Sequence, residues 1–304
     1  MRYGFIGLGH LGRPLASSLL RGGFDLTVHD LNRDSAGELI RAGARWAATP
    51  RELAAAVDAV ITCLPSPAAS SAVLTSEDGV LNGLRAGGTW IEMSTTDQHE
   101  IERLSTLAAG KGIATLGAPV TGGVHRAAAG EITVLVGGER SVYEAHLPAL
   151  RSMGGAIFHV GDLGQACVLK VITNMLAFIH LVAAGEALML ARRAGLDLGQ
   201  AFAAIKASSG NSFVHETESQ LVLNGSYNIG FTMDLACKDL GFAYQYGRQL
   251  GVPLEIAGLT EQIFRRAREQ YGGGAWSTQV VKLLEDALHT DLRAPGFPAT
   301  LEPG

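Results

Sequence analysis

A short glycine motif near the start of the chain constrains its fold more than any other feature. An apolar stretch over residues 3–6 predicts a strand, three glycines follow in the spacing G-x-G-x-x-G, and a helical pattern comes next. In such a strand, turn and helix, the first glycine permits the tight turn, the second lets a pyrophosphate approach the backbone, and the third permits close helix packing. The amides at the helix N-terminus then face the phosphates. This context predicts a dinucleotide site that comprises Gly7, Leu8, Gly9, His10, Leu11 and Gly12.

Asp30 extends this prediction to the ribose of the dinucleotide. An apolar strand pattern ends at His29, and Asp30 follows it, 18 residues after Gly12. A carboxylate about 20 residues beyond the motif accepts hydrogen bonds from the adenosine ribose hydroxyls and would repel a 2′-phosphate. We therefore expect NAD as the cofactor, with NADP possible because Arg33 lies close enough in sequence to reach a phosphate. The alternative is that Asp30 only caps a helix.

Strand and helix patterns alternate up to about residue 160. Apolar strand patterns recur over residues 59–63, 89–93, 114–117, 132–136 and 156–160. This alternation predicts an α/β protein with an N-terminal Rossmann-type, doubly wound and mainly parallel sheet. Ligands bind at the carboxyl edge of such sheets. We expect the residues that follow two of these strands to form the far wall of the cofactor site, unless they are only turns; they are Leu64, Pro65 and Thr95.

The second half of the chain has helical patterns alone. An apolar run without proline from Ala166 to Ala194 predicts one helix of about 30 residues, or roughly 45 Å, and four shorter helical patterns follow it. We therefore expect a dinucleotide-binding domain over 1–162, an all-helical substrate and oligomerisation domain over 163–290, and a flexible, proline-rich tail over 291–304. A helix so long and apolar needs cover on most sides, so we expect a homodimer or homotetramer.

Composition restricts the partners and the compartment. The chain has 304 residues and a net charge of -5, and without a basic stripe it is not expected to bind nucleic acid. Its three cysteines lie in apolar surroundings without metal-ligand spacing, which indicates reduced thiols and a cytoplasmic protein. No histidine has ligand spacing, so no metal is expected. We also expect no signal peptide, no apolar run long enough to span a bilayer and no membrane partner.

Lys170 is the strongest candidate for a catalytic group. It lies in an apolar segment, and Asn174, four residues later, would project from the same face of a helix. Desolvation lowers the pKa of a lysine towards values that suit proton transfer. The alternative is a lysine whose ammonium group extends to solvent and has no role in catalysis.

A second candidate site is the turn at Thr121, Gly122 and Gly123. Consecutive glycines expose backbone N–H groups and so form a concavity suited to a carboxylate, although such a pair is by default only a turn. Arg126 follows closely, and its guanidinium could bind a second anionic group of a substrate. Alternatively, Arg126 points to solvent from a surface turn.

Four motifs in the same order resemble the β-hydroxyacid dehydrogenase family, whose members include 3-hydroxyisobutyrate dehydrogenase and tartronate semialdehyde reductase. The resemblance covers the chain up to about Leu288, and the motifs lie at residues 4–12, 118–123, 161–174 and 238–243. Three positions depart from the usual family residues: Leu11 replaces Met, Thr121 replaces Ser and Ala166 replaces Gly.

The resemblance implies hydride transfer between the nicotinamide and a small 3-hydroxy acid or its semialdehyde. It makes Lys170 the general acid or base and Asn174 its neighbour on the substrate. It also implies that the turn from Thr121 to Gly123 binds the substrate carboxylate. Lys238 would lie against the nicotinamide end of the cofactor, close to the substrate.

Three alternatives share the scaffold. An imine reductase typically replaces the catalytic lysine, and a non-catalytic dinucleotide-binding protein would be expected to lose it, so Lys170 argues against both. The related 6-phosphogluconate dehydrogenase carries a histidine just before the asparagine, where this chain has Thr173.

Overall fold

A computed structural model describes residues 1–302, which form two compact units. The first unit runs from Met1 to Lys170 and the second from Val171 to Glu302. The division between them falls inside a helix, later than the domain boundary expected at residue 162. The physical reason is that the start of this helix still packs on the first unit, where Cys167 belongs to a buried apolar cluster.

The first unit is an α/β structure built on one sheet. Its strands are β1 Arg2–Ile6, β2 Asp25–His29, β3 Arg45–Trp46, β4 Ala59–Thr62, β5 Thr89–Glu92, β6 Ala114–Gly117, β7 Val120–Thr121, β8 Ile132–Gly137 and β9 Gly154–Gly161. Its complete α-helices are α1 Gly12–Arg21, α2 Gly37–Arg41, α3 Pro50–Ala55, α4 Pro67–Thr75, α5 Gln98–Ala109, α6 Val124–Ala129 and α7 Arg140–Met153.

The sheet confirms the predicted doubly wound topology. Its strand order is β3-β2-β1-β4-β5-β6-β8-β7, and β9 pairs with β8. The strands from β3 to β6 are parallel, whereas β8 is antiparallel to both β6 and β7. The chain changes direction across the sheet between β1 and β4, and at such a switch point the loops at the carboxyl ends diverge and leave a crevice.

Several elements of the first unit were not expected from the sequence. Helix α4 was not predicted, although Pro67 occupies its first helical turn and the Ser66 side chain caps it. Helix α7 contains Pro148 and was also missed. Strands β3 and β7 have two residues each, too few to show an alternating pattern.

The second unit is all-helical, as predicted. Its helices are α8 Gln165–Arg193, which begins in the first unit, α9 Leu198–Lys206, α10 Phe213–Asn224, α11 Met233–Leu250, α12 Glu255–Tyr271 and α13 Lys282–Leu288. Helix α8 has 29 residues, close to the predicted length. The core of this unit includes Leu181 of α8, Leu240 of α11 and Phe264 of α12.

One expectation about α8 was wrong. Among the described residues, this helix is long and apolar enough to cross a membrane, with a mean hydropathy of 1.9 over its most apolar 18-residue window, 39% of which is buried. The core helix of a globular domain passes the same test, and Leu181, Leu188 and Met189 do belong to the core of the second unit.

Residues 291–297 are packed rather than forming the start of a flexible tail. Leu292 is fully buried, and its backbone N–H donates to the Glu285 carboxylate at 2.9 Å. The N–H of Ala294 donates to the Leu223 carbonyl at 3.0 Å. The nearby prolines did not prevent this packing because other residues of the segment supply the backbone donors.

Candidate active site

The three glycines of the first turn meet different surroundings. Gly7 has a φ of +96°, and a Cβ added there would overlap the carbonyl oxygen of Cys63. A Cβ added at Gly12 would overlap the carbonyl oxygen of Gly7, so the start of α1 packs directly on the turn. In contrast, a Cβ added at Gly9 would have no atom within 4 Å. The turn therefore leaves open space at the glycine that a pyrophosphate is expected to approach, and its residues fit a dinucleotide.

Asp30 is held beside this turn. One of its carboxylate oxygens accepts from the Leu8 N–H at 2.7 Å, and the other accepts from the Asn32 N–H at 2.8 Å. The short 3-10 helix that follows is capped by Asn32, whose side chain accepts from the Asp34 N–H. The helix-cap interpretation of Asp30 is therefore wrong. Arg33, the expected phosphate contact in the case of NADP, lies with its guanidinium carbon 5.9 Å from the centre of the Trp46 ring.

The turns after β4 and β5 are tied to each other and to the glycine turn. The Leu64 N–H donates to the Ser94 hydroxyl at 2.7 Å, and the Ser94 N–H donates to the Glu92 carboxylate at 2.8 Å. A Cβ added at Gly7 would lie 3.0 Å from Cδ2 of Leu64. The structure thus places Leu64 next to the glycine turn, with Pro65 following Leu64 and Thr95 following Ser94 along the chain.

Glu92 and Ser94 were not identified from the sequence. Glu92 ends an apolar strand and is only 1% exposed. Burial raises the pKa of its carboxyl, and hydrogen bonds from Ser94, Ser70 and Thr62 oppose that increase. The signal that could have indicated Glu92 is an acidic residue inside an otherwise apolar, buried strand.

The turn at residues 121–123 has the backbone that only glycine adopts readily. Thr121 ends β7, and Gly122 and Gly123 have φ values of +123° and +91°. A Cβ added at Gly122 would lie 3.2 Å from Cδ of Arg126, and one added at Gly123 would lie 3.0 Å from Cε1 of His125. Both side chains therefore fold back over the glycines from the first turn of α6.

Arg126 and His125 are half-buried beside this turn. From the sequence, Arg126 could either bind an anionic group of the substrate or point to solvent, and His125 had no ligand spacing. Burial lowers the pKa of His125, and the positive charge of Arg126 lowers it further. The Arg126 guanidinium is thus close enough to affect the electrostatics of the ring.

Lys170 and Asn174 are buried on the same helix. They are 7% and 9% exposed and lie one turn apart on α8. This burial does not fit the alternative in which the Lys170 ammonium extends to solvent.

Asn174 and Lys238 meet at a buried carboxylate in the second unit. The Asn174 side-chain amide donates to Asp239 at 2.6 Å, and the Lys238 ammonium forms an ion pair with the same carboxylate at 2.7 Å. Asp239 is fully buried, and the Lys238 ammonium also lies 5.0 Å from the centre of the Phe242 ring. Sequence reasoning missed Asp239, although it stands beside Lys238 in the fourth motif.

The described residues contain no candidate metal site. Across residues 1–302, no three His, Cys, Asp or Glu side chains are grouped closely enough to hold a metal ion.

Two family models match successive parts of the chain. Residues 2–161 match the NAD-binding domain of 6-phosphogluconate dehydrogenase. Residues 164–284 match a model described as the NAD-binding domain of NADP-dependent 3-hydroxyisobutyrate dehydrogenase. The two models cover both the sheet and most of the helical unit.

Relatives of known activity match over nearly their whole length. A 2-(hydroxymethyl)glutarate dehydrogenase from Eubacterium barkeri is 34% identical, over 94% of this chain and 95% of the relative. An L-threonate dehydrogenase from Cupriavidus necator is 32% identical, over 92% of this chain and 95% of the relative. The crystal structure of a 3-hydroxyisobutyrate dehydrogenase from Salmonella typhimurium has a TM-score of 0.87 at 30% identity and covers 93% of this chain and 99% of that one.

Proposed function

Because this chain belongs to the β-hydroxyacid dehydrogenase family, we propose that Lys170 is the general acid and base of its reaction. The protein is an NAD(P)-dependent oxidoreductase of small 3-hydroxy acids. The single observation that carries the proposal is the burial of Lys170, which leaves only 7% of the residue exposed, one helical turn from a buried asparagine.

The proposed chemistry divides between the cofactor and the lysine. Bound NAD(P) exchanges a hydride with the carbinol carbon of the substrate. In the oxidation direction, the neutral amine of Lys170 accepts the hydroxyl proton as the C–H bond breaks. In the reduction direction, the Lys170 ammonium gives a proton to the carbonyl oxygen of the semialdehyde. A positioned group of this kind typically contributes about 10²- to 10⁴-fold in rate.

Asn174 and Lys238 would orient the reactants. Asp239 binds both side chains in the second unit, which limits their rotation. We propose that Asn174 forms a hydrogen bond with the substrate and holds it in line with Lys170. Lys238 would supply positive charge close to the cofactor and the substrate.

The proposed cofactor site lies at the carboxyl edge of the sheet. The pyrophosphate would lie against the turn, which comprises Gly7, Leu8, Gly9, His10, Leu11 and Gly12. The far wall would comprise Leu64, Pro65 and Thr95. The fixed Asp30 carboxylate favours NAD over NADP, because it can accept hydrogen bonds from free ribose hydroxyls and would repel a phosphate.

The substrate carboxylate would bind at the glycine pair. Gly122 and Gly123 bring backbone N–H groups to the surface, and Thr121 adds a hydroxyl. Arg126 lies over Gly122, so we propose that it binds a second anionic or hydroxylated group of the substrate. The names of two relatives support this choice, since glutarate is a dicarboxylate and threonate carries several hydroxyl groups.

A substrate panel tests the proposed function. The purified protein is assayed by nicotinamide absorbance with NAD(H) and NADP(H) against 3-hydroxy acids, their semialdehydes and an imine and amine pair. We expect turnover of at least one hydroxy acid or semialdehyde. Turnover of the imine pair alone would identify an imine reductase. Cofactor binding without any turnover would indicate a non-catalytic protein.

The quaternary structure and the compartment stay predictions. We propose a homodimer or homotetramer, supported by the length and apolar character of α8, and a cytoplasmic location, supported by three cysteines without disulfides among the described residues. Sedimentation equilibrium tests the assembly, and a monomer at micromolar concentration would contradict it.

A further inference from the structure

A buried carboxyl group lies under the proposed wall of the cofactor site. Glu92 is the last residue of β5 and is 1% exposed. No ion pair compensates its charge among residues 1–302. A carboxyl group without a cation in an apolar interior is costly, and each hydrogen bond that it accepts reduces that cost. The fold alone does not require one here, since the adjacent Ile91 and Met93 are apolar and buried.

Glu92 accepts a hydrogen bond from the turn that follows its own strand. Oε1 accepts from the Ser94 backbone N–H at 2.8 Å. The nearby hydroxyls of Ser94, Ser70 and Thr62 lower the pKa of the carboxyl, against the larger effect of burial, which raises it. The indole N–H of Trp90 donates to the Thr62 hydroxyl oxygen at 2.8 Å. Oε1 is therefore the oxygen that holds the Ser94 backbone, whereas Oε2 is buried without a hydrogen-bond partner among residues 1–302.

Two hydrogen bonds in series, here called the relay, connect this carboxyl to both turns of the proposed wall. Glu92 holds the Ser94 backbone, and the Ser94 hydroxyl accepts from the Leu64 N–H at 2.7 Å. The turn after β5 and the turn after β4 are therefore tied at one serine. Leu64 in turn lies against Gly7 of the glycine turn.

We propose that Glu92 is a positioning residue for the dinucleotide: through Ser94, it fixes the turns after β4 and β5 in the conformation that binds the cofactor. This inference rests on the cofactor site of the proposed function. Glu92 itself touches neither the cofactor nor the substrate. Its effect is to restrict the backbone before binding, so that less conformational freedom is lost when the dinucleotide arrives.

The experiment compares three single variants and one double variant with the parent. Glu92→Gln keeps the shape but replaces one of the two buried carboxyl oxygens by an amide NH₂ group, and Ser94→Ala removes the hydroxyl that accepts from the Leu64 N–H. The matched control is Glu144→Gln, which alters a surface carboxylate paired with Arg140. The readouts are the Kd for NADH or NADPH, whichever the parent binds more tightly, from nicotinamide fluorescence, and the melting temperature of the protein without cofactor.

We expect Glu92→Gln and Ser94→Ala each to raise the Kd between about fivefold and a hundredfold, the range for an unsatisfied buried hydrogen-bonding group. The control should bind like the parent. Because both residues act through one relay, the double variant should be little worse than the weaker-binding single variant, whereas independent effects would multiply. In steady-state assays, the KM for the cofactor should rise and the KM for the hydroxy acid should not.

Three outcomes would overturn the inference. Parental Kd values in both single variants would show that the relay does not affect binding. A lower melting temperature with unchanged Kd would make the role of Glu92 purely structural. Kd increases that multiply in the double variant would show that Glu92 and Ser94 act independently. If Glu92→Gln does not fold, Ser94→Ala alone decides, since an unchanged Kd in that variant contradicts the relay. A parent that binds neither dinucleotide would instead contradict the proposed function.

Discussion

A single methyl group added at Gly9 should weaken cofactor binding and leave the stability of the fold almost unchanged. A Cβ added at this position has no neighbour within 4 Å, and the backbone φ is not in the left-handed region, so alanine fits without strain. We therefore expect Gly9→Ala to change the free energy of unfolding by no more than about 0.5 kcal/mol, as for an ordinary surface substitution. The same methyl occupies the space that the pyrophosphate is proposed to fill. Overpacking of that kind costs about 1–3 kcal/mol, which corresponds to a loss of roughly 5- to 150-fold in affinity.

The assay compares Gly9→Ala with two other glycines. Gly12→Ala should lower the melting temperature of the protein without cofactor, because the added Cβ overlaps the Gly7 carbonyl oxygen. Gly274→Ala is the matched control, since a Cβ there also has no neighbour within 4 Å but Gly274 is not among the proposed cofactor residues. Fluorescence titration with NADH and thermal melting are measured for all three. If Gly9→Ala binds NADH as tightly as the parent, the open space is not the pyrophosphate site and the reasoning fails.

Three further predictions concern the cofactor, the substrate and acid stability. Catalytic efficiency should be higher with NAD than with NADP, and Asp30→Ser should reduce that ratio; comparable efficiency in the parent would contradict the role of Asp30. Arg126→Ala should raise KM selectively for dicarboxylate or polyhydroxylated substrates of the panel, whereas an unchanged ranking would return Arg126 to a surface role. Burial lowers the pKa of His146 from 6.5 to about 4, and its ring contacts the Tyr3 hydroxyl at 2.9 Å. The contribution of the neutral His146 ring to the free energy of unfolding should therefore be fully present above pH 6.5 and be lost, by up to about 3 kcal/mol, as the pH falls towards 4. In urea unfolding experiments His146→Gln should lack this pH-dependent loss, and an equally steep loss in that variant would refute the prediction.

The fold was predictable where a pattern was long or had a mechanical reason. The glycine motif, the strand that ends at Asp30 and the 29-residue helix α8 all carry signals within a few neighbouring residues. Helix α4 was missed because Pro67 indicates a turn as readily as a first helical turn. The packing of Leu292 depends on contacts with distant residues of the second unit, which no local pattern records.

The candidate site was predictable only in part for the same reason. Lys170 and Asn174 share a helix, so their spacing alone placed them on one face. Their burial, and the role of Asp239 in binding Asn174, depend on helices far apart in sequence. Glu92 has no sequence signal beyond its unusual position in an apolar strand, because two of the hydroxyls that act on its carboxyl, those of Thr62 and Ser70, belong to other segments.

The central claim, that Lys170 moves the proton, is tested most directly by one comparison. The kcat of Lys170→Ala is measured on the best substrate of the panel, with the Kd for NADH determined on the same preparation. Lys206→Ala, which removes a surface lysine paired with Glu216, is the control. We predict that Lys170→Ala binds NADH almost as the parent does but loses about 10²- to 10⁴-fold in kcat. A loss of less than about tenfold, below the range for a general acid or base, would contradict the claim.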